Sequence, residues 1–251
     1  MKILVIPDIH ENLDFLSKIE TEQDFSSFDQ IVCLGDYFDP RSATAATVEK
    51  LKATAIKIRE LKCQYDDKLH LLCGNHDLPY YALRPDCVKS SAKANFRIGF
   101  SMMCTTIERA KVINEIWDEF FWGKLKGAVL LDGILFSHAG VHPVFWVDAP
   151  TTEESYLQFS QNWSSAVESI YQEEMNPLFS IGKARKGDAP FGGPLWMDWG
   201  HEFIDGLEVP QIVGHTRWPD EPLKGRSRCI DLGQVGYGVL IDGRFQEKLV
   251  R

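Results

Sequence analysis

The sequence predicts a mixed α/β domain built on parallel strands, and three observations predict it. A strand, a polar tip and a helix follow one another twice, and a third strand ending in the same kind of tip comes next. Each strand is short, apolar and β-prone: Ile3-Leu4-Val5-Ile6, Ile31-Val32-Cys33-Leu34, and Leu69 to Cys73. This is the rhythm of parallel α/β units, whose ligands gather beyond the C-terminal ends of the strands.

The elements follow in order. The first strand ends at Pro7-Asp8-Ile9-His10, where an extended backbone would point Asp8 and His10 to the same side, able to close on one ion. Asn12 to Glu20 has helical spacing, with Leu13, Leu16 and Ile19 on one face. The second strand delivers Gly35-Asp36-Tyr37-Phe38-Asp39, and Ala43 to Leu61, rich in Ala, Lys and Glu without internal Gly or Pro, predicts the second helix. The third strand ends at Gly74-Asn75-His76-Asp77.

After Pro79 the period changes. Residues 88 to 122 read as helical and end in Trp117, Phe120, Phe121 and Trp122, an aromatic face expected to pack on the sheet. Asp132-Gly133 between Ala128-Val129-Leu130-Leu131 and Ile134-Leu135-Phe136 predicts a hairpin, whose second strand delivers Ser137-His138-Ala139-Gly140. From 144 to 200 the chain reads as one helix, Glu153 to Met175, with long Trp-rich loops able to overhang a site. Val209 to Val213 is a further strand, ending at Gly214-His215-Thr216, and the tail from Cys229 through Arg244 to Val250 reads as an antiparallel meander. With no internal repeat or low-complexity segment, a single domain over 1–251 is expected, with insertions at 80–125 and 144–205.

Composition sets the class. At 251 residues and 44% apolar, the chain can bury a substantial core. No run approaches the roughly 18 apolar residues of a membrane span, and the N-terminus enters a strand directly rather than a cleavable signal, so the expected place is the cytoplasm. The six cysteines form no C-x-x-C pair and are expected as free thiols. A net charge of -9 argues against extended binding to a nucleic-acid backbone, while leaving room for a nucleotide-sized substrate.

The five tips carry the chemistry. Asp8, His10, Asp36, Asn75, His138 and His215 give two carboxylates, one amide oxygen and three imidazoles. That is too many for one first-row ion and suits two ions bridged by a carboxylate, with Asp36, central in order and type, as the bridge. Two ions about 3.5 to 4 Å apart bind a phosphoryl group from both sides and lower the pKa of a shared water, which is a route to phosphoester hydrolysis without a covalent intermediate. The donor set accepts Mn, Fe, Zn, Ni or Co, with manganese the first expectation.

The five stretches, read as D-x-H, G-D-x-x-D, G-N-H-D/E, H-A/G-G and G-H, resemble in order and spacing the calcineurin-like metallophosphoesterases, in the branch of the Ser/Thr protein phosphatases and the bacterial diadenosine-tetraphosphatase-like enzymes. The resemblance implies a four-layer α/β/β/α sandwich. It assigns Asp8, His10 and Asp36 to one ion and Asp36, Asn75, His138 and His215 to the other. It makes His76 the acid that protonates the leaving oxygen, oriented by Asp39, in keeping with an imidazole that titrates near neutrality. Substrates would be a phosphorylated small molecule, a nucleotide or a phosphoprotein. The same fold also hosts phosphodiesterases and nucleases, and binding proteins that have lost catalysis.

Departures from the pattern bear on substrate. Where the protein phosphatases have a phosphate-gripping Arg after the second Asp, this chain has Pro40, with Arg41 one place further on. Glu11 stands where Gly usually follows D-x-H, adding negative charge, and Arg217 replaces the second imidazole of Gly-His-x-His, a change that favours the phosphatase-like branch and offers a second phosphate contact. Leu195-Trp196-Met197-Asp198 resembles the phosphatase segment L-W-x-D. Arg84, Asn95 and Arg97 are within sequence reach of the site from the helical insertion, though nothing local sets them apart from surface residues, and His142 is close enough to His138 to support it, though an ordinary loop histidine is the favoured reading.

Overall fold

A computed structural model describes residues 1–84, 104–170, 172, 174 and 176–251. Six strands form one sheet in the order β11-β10-β1-β2-β3-β4: β1 (Lys2–Ile6), β2 (Gln30–Cys33), β3 (Leu69–Leu72), β4 (Leu125–Lys126), β10 (Gly236–Ile241) and β11 (Arg244–Leu249). The other five form a second sheet in the order β5-β6-β7-β9-β8: β5 (Ala128–Leu131), β6 (Ile134–Ser137), β7 (Gln211–Val213), β8 (Leu223–Lys224) and β9 (Ser227–Cys229). Strands β1 to β4 are mutually parallel, as are β6, β7 and β9.

Side-chain alternation makes the layers. Along β1, Ile3 and Val5 join Val32, Leu34 and Leu72 against Val129, Phe136 and Ile212 of the second sheet, closing a core between the sheets. Leu4 and Ile6 face the other way, onto helices α1 (Leu13–Glu22) and α2 (Val48–Tyr65). The far face of the second sheet packs α6 (Thr152–Ser169) near β5 and the loops carrying Met197, Trp199 and Phe203 near β7 and β9. This is the four-layer arrangement, with its outermost layer largely loop. Among the described residues no helix is long and apolar enough to cross a membrane, and Cys33, Cys63, Cys73, Cys104 and Cys229 are free thiols.

Several boundaries differ from the sequence reading for identifiable reasons. Helix α2 starts at Val48 because the Thr47 hydroxyl accepts from the Lys50 N–H, a cap that leaves Ala43–Ala45 as a separate 3₁₀ turn. Pro210 has no N–H to give, so β7 begins at Gln211 rather than at Val209. Helix α6 ends at Ser169, short of Met175. The tail is not one meander: β9 joins the second sheet parallel to β7, and only β10 and β11 extend the first sheet antiparallel to β1.

The helical insertion comprises α3 (Leu78–Ala82), α4 (Ile107–Asn114) and α5 (Glu119–Trp122) among the described residues. Trp117, Phe121 and Trp122 are buried in the main core as expected, whereas Phe120 is 75% exposed. Asn95 and Arg97 lie outside the described residues. Arg84 is buried, its guanidinium over the Tyr81 ring and 3.7 Å from Glu119.

Candidate metal centre and active site

Every tip named from the sequence lies just past the C-terminal end of a strand, three after β1, β2 and β3 of the first sheet meeting two after β6 and β7 of the second. The first tip does not work by strand alternation. His10 (φ 47°) and Glu11 (φ 58°) leave the extended region, and the turn is held by the Ile9 and His10 N–H groups donating to Asp36 O at 3.0 and 2.7 Å. Side chains two apart in this turn still converge: His10 Nε2 is 3.7 Å from Asp8 Oδ2 and 3.5 Å from Asp36 Oδ2. The other sheet approaches Asp36 from its Oδ1 side, with His138 Nε2 at 3.5 Å. His138 Nε2 is also 2.9 Å from Asn75 Oδ1 and 3.2 Å from His215 Nδ1.

The donor chemistry of these atoms fits divalent cations. His138 Nδ1 donates to Leu34 O at 2.8 Å, so in the neutral imidazole Nε2 is a bare lone pair facing the Asn75 carbonyl oxygen, another bare acceptor. His10 Nδ1 likewise donates to Asp39 O at 2.7 Å, and its buried Nε2 has no hydrogen-bond partner. Acceptors so close repel unless a cation lies between them, and a backbone carbonyl on the far nitrogen is how ligating imidazoles are oriented. Two overlapping groups have ligand atoms all within 4.8 Å of one another: His10, Asp36 and His76, and Asp36, His138 and His215. Asp36 is common to both, the position of a bridge.

The backbone around Asp36 is held by Asp77, whose carboxylate accepts from the N–H groups of Asp36 (2.8 Å), Tyr37 (2.9 Å) and Gly74 (2.8 Å). Burial, then the charge of Asp36, raises the Asp77 pKa, against those donors. Asp8 is fully buried, which opposes ionisation, yet His10, His138 and Arg41 hold its carboxyl well below the usual carboxylate range.

His76 stands at the edge of this cluster, its side chain 21% exposed. Its Nδ1 donates to Asp39 Oδ2 at 3.0 Å, and its backbone N–H donates to Asp36 Oδ1 at 2.8 Å. Burial lowers its pKa, but Asp36 and Asp39 outweigh that and raise it to about 9. With Nδ1 committed to Asp39 and the ring at the partly exposed edge of the cluster, the geometry leaves Nε2 free to give a proton to a bound group.

The model of the calcineurin-like phosphoesterase family matches residues 1–216, which contain all five tips. The chain belongs to the calcineurin-like phosphoesterases. No curated protein is significantly similar in sequence. Among solved structures, the cold-active protein-tyrosine phosphatase of a psychrophilic Shewanella species matches with TM-score 0.60 and 15% identity over 100% of this chain and 80% of that one. A putative diadenosine tetraphosphatase matches with TM-score 0.45 and 13% identity over 100% and 94%. At such identity the likeness to the first shows the fold, and no more.

Around the centre, this phosphoesterase places residues that the motifs do not name. Asp231 follows β9 as the motif residues follow their strands, fully buried, accepting from Arg41 Nη2 at 2.8 Å; that same nitrogen is 3.5 Å from Asp8 Oδ2. Burial first, then Asp8, raises the Asp231 pKa to about 6. The apolar run Cys229-Ile230 ending in Asp was the available sequence signal. Arg41 is thus turned toward the metal centre, whereas Arg217 is exposed, its stem beside Gly233. Arg185 lies beside the fifth tip: its Nη2 donates to Thr216 Oγ1 at 2.8 Å, one residue past His215, and its Nε is 3.0 Å from Asp198 Oδ2. Asp198, the last residue of the L-W-x-D-like segment, therefore anchors a cation beside the site. His142 does not support His138; its ring stacks on Phe191 at 3.9 Å. Glu11 is not free negative charge at the mouth, because it is buried and paired with Arg109.

Proposed function

We propose that the protein is a dinuclear-metal phosphoesterase hydrolysing a phosphomonoester or a phosphoanhydride, with Asp8, His10 and Asp36 holding one ion and Asp36, Asn75, His138 and His215 the other. The observation that carries this reading is the convergence of bare acceptors on Asp36: His10 Nε2 at 3.5 Å from one oxygen and His138 Nε2 at 3.5 Å from the other. Bound there, two divalent ions, manganese first among the candidates, would supply positive charge to the phosphoryl oxygens and lower the pKa of water.

The protein's own groups divide the remaining work. His76 gives its proton to the leaving oxygen, and Asp39 holds the ring through Nδ1 so that Nε2 is the donor. Arg41 and Arg185 flank the centre, fixed by Asp231 and Asp198 respectively, and bind phosphoryl oxygens; a pre-oriented guanidinium loses little entropy on doing so. Arg217, exposed on the same loop as His215, is an outer contact for a larger phosphorylated substrate, be it a nucleotide or a phosphoprotein.

The test is hydrolysis of p-nitrophenyl phosphate, bis-p-nitrophenyl phosphate and diadenosine tetraphosphate by manganese-loaded protein, with Asp36→Asn and His76→Ala alongside. Metal-dependent turnover of the first or third, lost in Asp36→Asn, is expected. Preference for the diester would replace this reading with a phosphodiesterase, and no turnover of any with metal bound would replace it with a binding protein.

A further inference from the structure

Behind His76 lies a closed circuit of buried groups, only one of which belongs to a motif. Asp39 Oδ2 accepts from His76 Nδ1 at 3.0 Å and from Thr105 Oγ1 at 3.3 Å, while Oδ1 accepts from the Tyr80 hydroxyl. The Tyr80 oxygen in turn accepts from Arg109 Nε at 3.1 Å, and Arg109 Nη2 donates to Glu11 Oε1 and lies 3.8 Å from Asp39 Oδ1. Glu11 Oε1 closes the circuit by accepting from the Asp39 N–H at 3.0 Å. Glu11, Asp39, Tyr80 and Arg109 are all buried.

The circuit does something that Asp39 cannot do alone. The terminal torsion of an aspartate is broad and roughly two-fold, so nothing intrinsic fixes the plane of its carboxylate. With Oδ1 taken by Tyr80 and backed by the Arg109 charge, Oδ2 is the oxygen left to face the imidazole. The backbone is fixed as well, because Asp39 is in the left-handed region (φ 61°) and its N–H is held by Glu11. Glu11 itself stands at φ 58°, a conformation that costs a residue other than glycine about 1 kcal/mol or more. Its carboxylate, required by Arg109 and by the Asp39 N–H, gives a physical reason for a glutamate there.

We infer that Glu11, Tyr80 and Arg109 are positioning residues that aim the Asp39 carboxylate at His76, so that proton delivery to the leaving group depends on α4 of the helical insertion, which carries Arg109. The inference rests on the reading of His76 as that proton donor. It predicts a signature that a purely structural role would not give. Protonation matters most for poor leaving groups, so loosening the donor penalises an alkyl phosphate far more than p-nitrophenyl phosphate.

The variants are Tyr80→Phe, which removes one oxygen, and the double variant Glu11→Gln with Arg109→Met, which removes both charges and so leaves neither buried alone. On p-nitrophenyl phosphate each is expected to lose about 3-fold or less in kcat, and on an alkyl phosphate about 30- to 100-fold, with KM little changed in both cases. Independently of turnover, the His76 Nδ1 proton, identified by its absence in His76→Ala, should be a slowly exchanging downfield NMR signal that broadens in both variants. Equal losses on all esters, or an unbroadened signal in both variants, would overturn the inference while leaving His76 as the donor. If His76→Ala itself loses equally on all esters, the donor reading falls and the inference with it.

Discussion

At the scale of single residues, the glycines of the motifs are explained by what lies against them. A Cβ on Gly74 would stand 2.2 Å from Asp36 Oδ1, and one on Gly214 would stand 2.4 Å from Asp8 Oδ1. Gly74→Ala therefore pushes on the bridging carboxylate itself; loss of about 100-fold or more in kcat and about 1–3 kcal/mol of stability is expected, read from metal-loaded turnover and from urea denaturation. His10, Glu11, Asp36, Asp39 and His215 all have positive φ, a concentration of left-handed residues that marks a built site. Arg185→Ala should raise KM about 10-fold and change kcat less, since its guanidinium grips rather than reacts; an unchanged KM would remove it from the substrate contacts. The motif residues were legible because each follows an apolar strand directly. Arg185, Tyr80 and Arg109 were not, because each meets the site through tertiary contacts across 31, 41 and 98 residues of chain that no local pattern records.

At the scale of elements, the strand tips are held by one another rather than by their own loops. His215 N donates to Asp8 Oδ1 at 3.1 Å and His138 Nδ1 to Leu34 O, each tying the second sheet to the first. Asp77 performs the same service within the first sheet, accepting three backbone N–H groups from two tips. Asp77→Ala orphans all three and should cost about 3–5 kcal/mol, measured by chemical denaturation of the metal-free protein; a cost under about 1 kcal/mol would contradict this role. The parallel units were legible from alternation of apolar strand and helical period. The split of the tail between the two sheets was not, since nothing local in Ser227-Arg228-Cys229 or in Gly236–Ile241 records that the first pairs with β7 and the second with β1.

At the scale of the whole molecule, stability should depend on pH through a histidine remote from the site. His70 on β3 is half-buried and donates Nε2 to Gln30 Oε1 at 2.6 Å, and burial, with Lys126 and Lys62 adding to it, lowers its pKa to about 4. The unfolded chain binds a proton there that the folded one resists, so this contribution is complete above about pH 6.5 and is lost as pH falls toward 4. After allowance for partial exposure it is on the order of 1–2 kcal/mol. His70→Gln should flatten that part of a stability–pH curve recorded by urea denaturation; an unaltered slope would show that His70 titrates normally. The family membership itself was the most legible feature of the chain, because five short tips at fixed places along two sheets leave their order in the sequence. Substrate class was not, because Arg41 and Arg185 reach the centre through partners, Asp231 and Thr216, that are distant in sequence.

The central claim is that tips from both sheets build one centre for two ions bridged by Asp36, and metal content measures it most directly. After equilibrium dialysis against manganese, elemental analysis of the wild-type protein should give two ions per chain, and Asp36→Asn should retain one or none. A wild-type protein that holds no manganese, or an Asp36→Asn protein that still holds two ions as tightly as the wild type, would contradict the account.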